Sequence, residues 1–389
     1  MSLKGTNQEF GRPYNRRIVL ETIRQHGPIE RGDIARRVGL TVQTVANIIR
    51  ELEELDFVTG ARAQPKGRGS PATSLSINPS GGYTIGVHVA QFKLEAAVVD
   101  LSGNIATVIA RDISTDNPET AFDAIGAMIR ELAASREKQL LGVGLAMPGP
   151  FDVDQMSFIG PTTLEGWRGF PVAQRLAEVS NVPSFIEADS AAAALGERLH
   201  GAGKAFRDFF YLYFGIGLGG CMVHDGEALR GAFRNAGEIG HVPLIPDGEP
   251  CACGNNGCVE RYVSLESYYR RRPVVGREGW IAEAAPVFRR TIATIENLFD
   301  PETIIVGGIA EDELLDGLIA AATPLLSSVS QRNGRKVPRI LRSASGHDAV
   351  LKGAAALALS GVLSPRFGIM FKDADRTDTD PTFARSRVA

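Results

Sequence analysis

The sequence predicts a winged helix-turn-helix, mainly α, followed by a larger α/β part made of two similar lobes with a cleft between them. Residues 14–55 contain three stretches of helical apolar spacing, separated by Gly27-Pro28 and by Gly39. Residues 57–77 place short apolar patches around a Gly/Arg/Pro-rich stretch, which is typical of a hairpin. Three strands, a helix and a further strand then occur twice, from Tyr83 and from Phe209.

Length, composition and charge limit the class of protein. A chain of 389 residues suits two or three domains, and 44% hydrophobic with 22% charged residues is typical of globular proteins. There is no apolar run near the roughly 18 residues that span a bilayer, and no signal-peptide pattern, so we expect a cytoplasmic protein without a membrane partner. Residues 1–80 contain twelve Lys or Arg and eight Asp or Glu, a net charge of +4, which leaves −7 for the rest of a chain of net charge −3. This asymmetry indicates a nucleic acid partner at the front end.

The changes of pattern also place the elements and the domain boundaries. We expect an N-terminal domain at 1–80, a first α/β lobe at 81–200, a second lobe at 201–365 and a polar tail at 366–389. The predicted elements, in chain order, are helices 14–24, 30–38 and 41–55, a linker 78–82, strands 83–89, 94–101 and 105–113, helix 118–136, strand 141–146, a strand from 209, helix 282–299 and strand 303–306.

The helices of the N-terminal domain fit a helix-turn-helix. Ala35 is small where two helices cross, Gly39 supplies the turn and Thr41 can cap the third helix. The inward face is formed by Ile34, Val38, Leu40, Val45, Ile48 and Leu52, and the outward face of the third helix by Thr41, Gln43, Thr44, Asn47 and Arg50. Gln and Asn can bond both edges of adenine, and Arg can bind guanine or a phosphate. The alternative is a helical bundle whose polar face is only solvated.

The sequence PKGRGSP at 65–71 favours DNA binding further. A slim segment around Arg68 can enter a narrow minor groove, where the negative potential attracts arginine. Its alternative is a flexible linker. The helix-turn-helix and the wing together predict binding to a double-stranded DNA operator.

Three cysteines and one histidine predict a metal site. Cys251, Cys253 and Cys258 lie in one stretch of eight residues that is rich in Gly and Asn and is typical of a loop, and His241 precedes them. Three thiolates and an imidazole form a closed tetrahedral set, the usual complement of structural Zn²⁺. The alternative is reduced core cysteines, which is our expectation for Cys221 in its apolar strand. Four protein ligands leave no position for an activated water, so we expect no metal catalysis.

With these features, the chain resembles the ROK family of repressors, open-reading-frame proteins and sugar kinases. The most specific stretches are GEIGH at 237–241 with CACGNNGCVE at 251–260, LAMPGPFD at 145–152 and EADSAAAALGE at 187–197. The resemblance implies an actin-like, ribonuclease-H-like fold of two lobes, as in sugar kinases. Kinases of the family bind sugar and ATP in the cleft, whereas its regulators carry a winged helix-turn-helix and respond to sugars, typically as homodimers or homotetramers.

The resemblance also implies ligand-binding residues. Glu238, His241 and Glu260 match positions that hydrogen-bond sugar hydroxyls, and an imidazole held by zinc through one nitrogen can offer the other. Asp189 matches the base of the kinases; its alternative is a helix N-cap. Thr163 stands where Asn is common, and Ala188 and Ala191 replace further Asn residues, so we expect a sugar other than ordinary glucose or N-acetylglucosamine, or a low affinity. Trp167 either flanks the pocket or packs in the core.

The nucleotide side departs most from the kinases. Their Asp-x-Gly-x-Thr phosphate loop is replaced by GVHVAQF at 86–92, with His88 at the carboxylate position. Phosphates need exposed N–H groups and hydroxyls, with a carboxylate for the magnesium. The second turn keeps the glycines of 215–220, but Phe214 replaces a Thr, and Ile309 replaces a third Gly after Gly307-Gly308. We therefore expect neither ATP binding nor kinase activity.

The sequence thus predicts a sugar-responsive DNA-binding regulator that is not an enzyme, and in particular a repressor of genes for carbohydrate uptake or catabolism. Two alternatives stay open at this point. One is a sugar kinase with a fused DNA-binding domain, which Asp189 favours and the altered 86–92 loop opposes. The other is a regulator controlled by a protein partner, in which Ala188 and Ala191 mark a pocket that no longer binds sugar.

Overall fold

The computed structural model describes residues 11–62, 73–90, 92–114, 116–134, 136–149, 164–331 and 334–363. Three features predicted from the sequence lie outside these ranges: the 65–71 wing with Arg68, the position Thr163, and the 366–389 tail. No helix within the described ranges is long and apolar enough to cross a membrane.

The N-terminal domain is a winged helix-turn-helix, as predicted. A three-stranded sheet in the order β1-β3-β2 packs beside three helices. Gly39 adopts a left-handed conformation (φ 69°) after the second helix, and the Thr41 hydroxyl accepts from the N–H of Thr44 at 3.1 Å to cap the third. All six predicted inward side chains are buried. The elements are α1 (Gly11–His26), β1 (Ile29–Glu30), α2 (Arg31–Val38), α3 (Val42–Glu54), β2 (Val58–Arg62) and β3 (Thr73–Ile77).

The first lobe is built on a five-stranded sheet in the order β6-β5-β4-β7-β8. The first three strands form an antiparallel meander, and the last two run parallel to β4. The strands are β4 (Tyr83–Ala90), β5 (Lys93–Asp100), β6 (Ile105–Asp112), β7 (Leu140–Met147) and β8 (Ser184–Ala188), and the helices are α4 (Pro118–Ala134) and α5 (Val172–Ser180). Trp167 is fully buried in this lobe against Phe122 and Phe170, so it packs in the core.

The second lobe repeats this topology. Its sheet has the order β11-β10-β9-β12-β13, again an antiparallel meander followed by two strands parallel to the first. The predicted duplication is therefore confirmed. Its elements are β9 (Phe209–Phe214), β10 (Leu218–His224), β11 (Glu227–Ala228), α7 (Leu265–Phe299), β12 (Thr303–Gly308), α8 (Asp312–Ala321) and β13 (Ile340–Arg342).

Helix α7 begins earlier than the predicted start at Ala282. Its 35 residues are two helical stretches joined by a kink at Gly276, whose backbone has φ 73° and ψ −179°. A residue with a side chain is strained at such a φ, so glycine allows the kink. The predicted helix 282–299 is the stretch after the kink.

Two alanine-rich helices join the lobes: α6 (Asp189–His200) and α9 (Ala349–Leu363). The two helices cross each other closely, and each packs on the sheet of the other predicted lobe. Helix α6 packs on β9 and β10, whereas α9 packs on β4 and β7. A Cβ added at Gly353 would lie 1.6 Å from the carbonyl oxygen of Ala192, so the backbones meet without side chains between them. The boundaries at 200 and 201 stay a prediction, and α9 contributes to the first lobe from within the predicted second one.

The N-terminal domain packs against the same helix. Apolar residues of α1, among them Ile18 and Ile23, share one buried cluster with Leu357 and Leu359 of α9. On the turn after α3, Asp56 accepts from Lys138 of the first lobe at 2.7 Å and from Asn78 of the connecting segment at 2.8 Å. The segment 78–82 is therefore a short ordered connection that contains the 3-10 turn Pro79–Gly81.

Candidate ligand cleft, metal centre and DNA-binding face

The cleft lies where the carboxyl ends of the parallel strands of both sheets meet. His88 is near the carboxyl end of β4, Pro148 follows β7, and Asp189 follows β8; from the other lobe, Gly215 follows β9 and Ile309 follows β12. Such edges are the usual ligand sites of α/β sheets. The cavity has a volume of about 270 Å³ and is also lined by Glu238, His241 and Glu260.

Asp189 is the first residue of α6, on the floor of the cleft. Its Oδ1 accepts from the N–H of Ser190 at 2.7 Å, and the N-cap position is occupied by Ala188, which makes no side-chain cap. Asp189 therefore does not act as the N-cap. Burial raises the pKa of its carboxyl, and the nearby His88 opposes this shift. Hydroxyls of a ligand in the cleft would donate hydrogen bonds to this half-buried carboxyl group.

Glu238, His241 and Glu260 form a contiguous polar wall of the cleft. His241 Nε2 lies 4.0 Å from Glu238 Oε2, and its Nδ1 lies 3.3 Å from Glu260 Oε1. Both carboxylates belong to short 3-10 segments, Glu238 as the N-cap of Ile239–His241 and Glu260 within Val259–Arg261. Burial raises the pKa of Glu238 as well. The wall thus offers carboxylate acceptors on either side of an imidazole, which suits a polyhydroxylated molecule.

The four predicted metal ligands converge behind this wall. The ligand atoms of His241, Cys251, Cys253 and Cys258 all lie within 4.8 Å of one another. The Sγ atoms of Cys253 and Cys258 are 3.6 Å apart, and Cys251 Sγ is 3.6 Å from His241 Nδ1. Tetrahedral Zn²⁺ with Zn–S bonds of about 2.3 Å separates its sulfurs by about 3.8 Å, so the donor set fits such an ion. His241 would bind it through Nδ1 and leave Nε2 to the cleft.

The loop that carries the cysteines is shaped by a close backbone approach. Gly257 has φ 74°, and a Cβ there would lie 1.7 Å from the carbonyl oxygen of Ile245. The N–H of Cys251 donates to the carbonyl of Asn255 at 2.8 Å, which closes the turn between the ligands. Burial raises the pKa of the Cys258 thiol to about 11, so binding of a metal ion would displace its proton.

At the position of the kinase phosphate loop, the cleft residue His88 belongs to a polar cluster with two residues of β5 instead of standing among small residues. His88 Nδ1 lies 3.7 Å from Glu95 Oε2, and Lys93 Nζ lies 2.7 Å from Glu95 Oε1. His88 and Lys93 lower the pKa of Glu95 to about 2. Phe214, in the position of the kinase threonine, is fully buried and provides no hydroxyl. An imidazole backed by a carboxylate thus borders the region where a nucleotide phosphate needs N–H and hydroxyl donors.

Two contacts beside the cleft were not expected from the sequence. His88 and Glu95 face each other in the β4–β5 ladder, which pairing of the two predicted strands through their short connection could have revealed. Arg230 Nε donates to the buried Glu187 Oε2 at 2.8 Å and so ties β8 to the loop that leads to Glu238. Nothing in the local sequence indicates this second pair, because its members are far apart in the chain.

The outward face of α3 is accessible, as the helix-turn-helix pattern requires. Thr41, Gln43, Asn47 and Arg50 are exposed, and Thr44 is half-buried. Gln43 Nε2 donates to Asn47 Oδ1 at 3.4 Å, which holds the two amides side by side. The hydroxyls of Thr41 and Thr44 lie 2.8 Å apart and bond each other. The amides and Arg50 are therefore the groups best placed for an external partner.

Comparisons with known proteins agree with this architecture. Residues 13–59 match the profile of winged helix-turn-helix DNA-binding domains, and residues 84–360 match that of the ROK family. A xylose repressor of Bacillus spizizenii is 27% identical over 386 residues, which cover 93% of this chain and 97% of the repressor. A glucokinase of Streptomyces coelicolor is 30% identical, over 71% of this chain and 98% of the kinase. A solved ROK family transcriptional regulator, described as a homologue of the Escherichia coli MLC protein, superposes with a TM-score of 0.74 at 22% identity and covers 92% of this chain and 97% of its own, which shows the shared fold.

Proposed function

The chain belongs to the ROK family, and from this premise we propose that it is a sugar-responsive DNA-binding transcriptional repressor without kinase activity. One observation carries the proposal: a winged helix-turn-helix with an accessible α3 packs on α9, and the cleft between the lobes is lined by Asp189, Glu238, His241 and Glu260. The repressor among its relatives aligns with 93% of the chain, whereas the glucokinase aligns with 71%. The proposal includes operator contacts from Gln43, Asn47 and Arg50, from Thr41 and Thr44 at the start of α3, and from Arg68 of the 65–71 segment.

The packing suggests how a ligand in the cleft would act on DNA binding. Asp189 begins α6, α6 crosses α9, and α9 packs against α1 of the N-terminal domain. A sugar that is bound more tightly by one arrangement of the two lobes would shift the population toward it. Because α9 joins the crossing to the DNA-binding domain, such a shift would change the placement of α3 in a symmetric homodimer or homotetramer on its operator.

We expect one sugar class to stabilise the chain and to alter its affinity for an operator. An operator is first selected from random duplex DNA with the full-length, zinc-loaded chain. Thermal unfolding is then recorded with sugars, polyols and sugar phosphates; a ligand at about 100 times its Kd adds roughly 2.7 kcal/mol to a folded state that alone binds it. Operator affinity is measured at one salt concentration with each stabilising sugar. A selected operator that is bound equally with every sugar would contradict the proposed sensing.

The substitution Asp189→Asn is expected to lower the affinity for that sugar by about tenfold or more. It keeps the size of the side chain but removes the charged acceptor, and hydrogen bonds to charged groups contribute about 1.5–3 kcal/mol. Operator affinity without sugar should be unchanged, because Asp189 lies in the cleft and not on α3. Asp123→Asn, at a side chain 77% exposed on α4, is the matched control and should leave the sugar affinity unaltered. Equal sugar affinities of the Asp189 variant and the parent chain would remove Asp189 from the site.

A second candidate is a sugar kinase with a fused DNA-binding domain, which Asp189 in the cleft and the glucokinase relative favour. The His88–Glu95 cluster and the buried Phe214 oppose it, so we expect no stabilisation by MgATP and no phosphorylated sugar. Calorimetric titration with MgATP and analysis of products from the whole sugar panel measure this directly. Phosphorylation that disappears in the Asp189→Asn variant would establish the kinase instead. Sugar-independent operator binding with a co-purifying protein would favour control by a protein partner.

A further inference from the structure

Val42, the first residue of α3, places an apolar side chain on the face proposed to meet DNA. It is 57% exposed, whereas the other large apolar residues of this helix are buried: Val45, Ile48, Ile49 and Leu52. Its neighbours Thr41 and Gln43 are also exposed. Val42 therefore adds little to the core, and it lies at the end of the helix that enters the major groove in helix-turn-helix proteins.

The polar groups around Val42 already have partners within the helix. The Thr41 hydroxyl caps the N–H of Thr44 and bonds its hydroxyl, and the Gln43 amide donates to Asn47. These bonds fix the neighbouring side chains on either side of the isopropyl group. At this end of α3, the surface offered to a groove is thus an apolar group framed by ordered polar ones.

Among the groups that base pairs present in the major groove, the C5-methyl of thymine is the apolar one. An isopropyl group pressed against the donors and acceptors of other bases would desolvate them without replacing their hydrogen bonds. Resting on the proposed DNA binding, we infer that Val42 is a specificity-determining residue that packs against the methyl group of a thymine in each operator half-site. Scattered exposed apolar residues are common on protein surfaces, so the position on α3 is what carries this inference.

The test removes the methyl group from the DNA and the isopropyl group from the protein, separately and together. In the operator selected with the full-length chain, each recurrent thymine is replaced by deoxyuridine, which keeps base pairing and lacks only the methyl. At one position in each half-site, we expect affinity to fall by about fourfold, the effect of exposing one buried methyl-sized group. Val42→Ala, which favours the helix, should bind the thymine and uracil duplexes equally. The control Val274→Ala, at a valine 76% exposed in the second lobe, should keep the fourfold preference.

The outcomes separate this inference from the function on which it rests. If the parent chain and Val42→Ala respond alike to every uracil substitution in the selected operator, the inference is overturned. The proposed DNA binding is then unaffected. An altered oligomeric state of Val42→Ala with an unchanged uracil response assigns the side chain to a contact between copies and overturns it too. If no sequence is enriched from the random pool, the proposed DNA-binding function fails, and the inference fails with it.

Discussion

The substitution Cys258→Ser is expected to abolish stoichiometric zinc binding and to reduce sugar affinity by about 30- to 150-fold. Cys258 is buried, and its Sγ lies 3.6 Å from that of Cys253 within the four-ligand cluster. A serine hydroxyl does not replace a thiolate as a soft, anionic ligand of the ion. The cluster includes His241 and adjoins Glu260, whose Oε1 lies 3.2 Å from Cys251 Sγ, so two side chains of the cleft lose their support together. Two hydrogen bonds of about 1–1.5 kcal/mol each account for the expected loss.

Cys221→Ala is the matched control for this variant. Cys221 is also buried, but it lies on β10 outside the cluster, so its removal should leave one zinc per chain and an unchanged sugar affinity. Metal content is measured by elemental analysis, sugar affinity by calorimetry, and operator affinity without sugar serves as the test of an intact N-terminal domain. A Cys258→Ser chain that retained a full equivalent of zinc together with the parent affinity would disprove the coordination proposed for the cluster.

The cluster of three cysteines and the helix-turn-helix could be predicted from the sequence because their information is local. Cys251, Cys253 and Cys258 lie within eight residues, and one loop brings them together whatever the rest of the chain does. Similarly, the α3 cap depends on Thr41 and Thr44 alone, and the turn before it on a glycine that tolerates φ 69°. Such features can be recognised within single segments. The structure confirms the winged helix-turn-helix and brings the side chains of the four predicted metal ligands together, whereas their binding of zinc stays a proposal.

Other features depend on which distant segments meet, and the sequence did not indicate them. The pair of the buried Glu187 and the half-buried Arg230 joins residues 43 positions apart, and either one alone resembles a solvated charge in the sequence. The sequence around Trp167 is compatible both with a place beside a pocket and with packing in the core. The position of α4, which carries Phe122, decides between the two. The crossing of α6 with α9 joins residues more than 150 positions apart, so no change in local composition marks it.

The substitution Gly353→Ala is expected to destabilise the chain by about 3 kcal/mol, although it introduces a better helix former. Helix propensity alone predicts a gain of about 0.5–1 kcal/mol. The added Cβ would lie 1.6 Å from the carbonyl oxygen of Ala192, about half of an ordinary C···O contact of roughly 3.3–3.6 Å. Backbone cannot rotate away as a side chain can, so α6 and α9 must separate, and overpacking of this kind costs about 1–3 kcal/mol or more. Urea denaturation measures the free energy of unfolding, and Gly32→Ala, in a helical position with nothing within 4 Å, should show the opposite sign.

Gly196 tests the same crossing from the other helix. A Cβ there would lie 2.1 Å from the carbonyl oxygen of Ala349, so Gly196→Ala should also destabilise the chain. Once one substitution has separated the helices, the second meets a wider gap, and the double variant should lose clearly less than the sum of the two. Because Asp189 begins α6, both single variants should also have a lower affinity for the sugar that stabilises the parent chain, whereas Gly32→Ala should leave that affinity unchanged. Stabilisation by Gly353→Ala, or strictly additive losses in the double variant, would contradict a close crossing and with it the route from the cleft to α1.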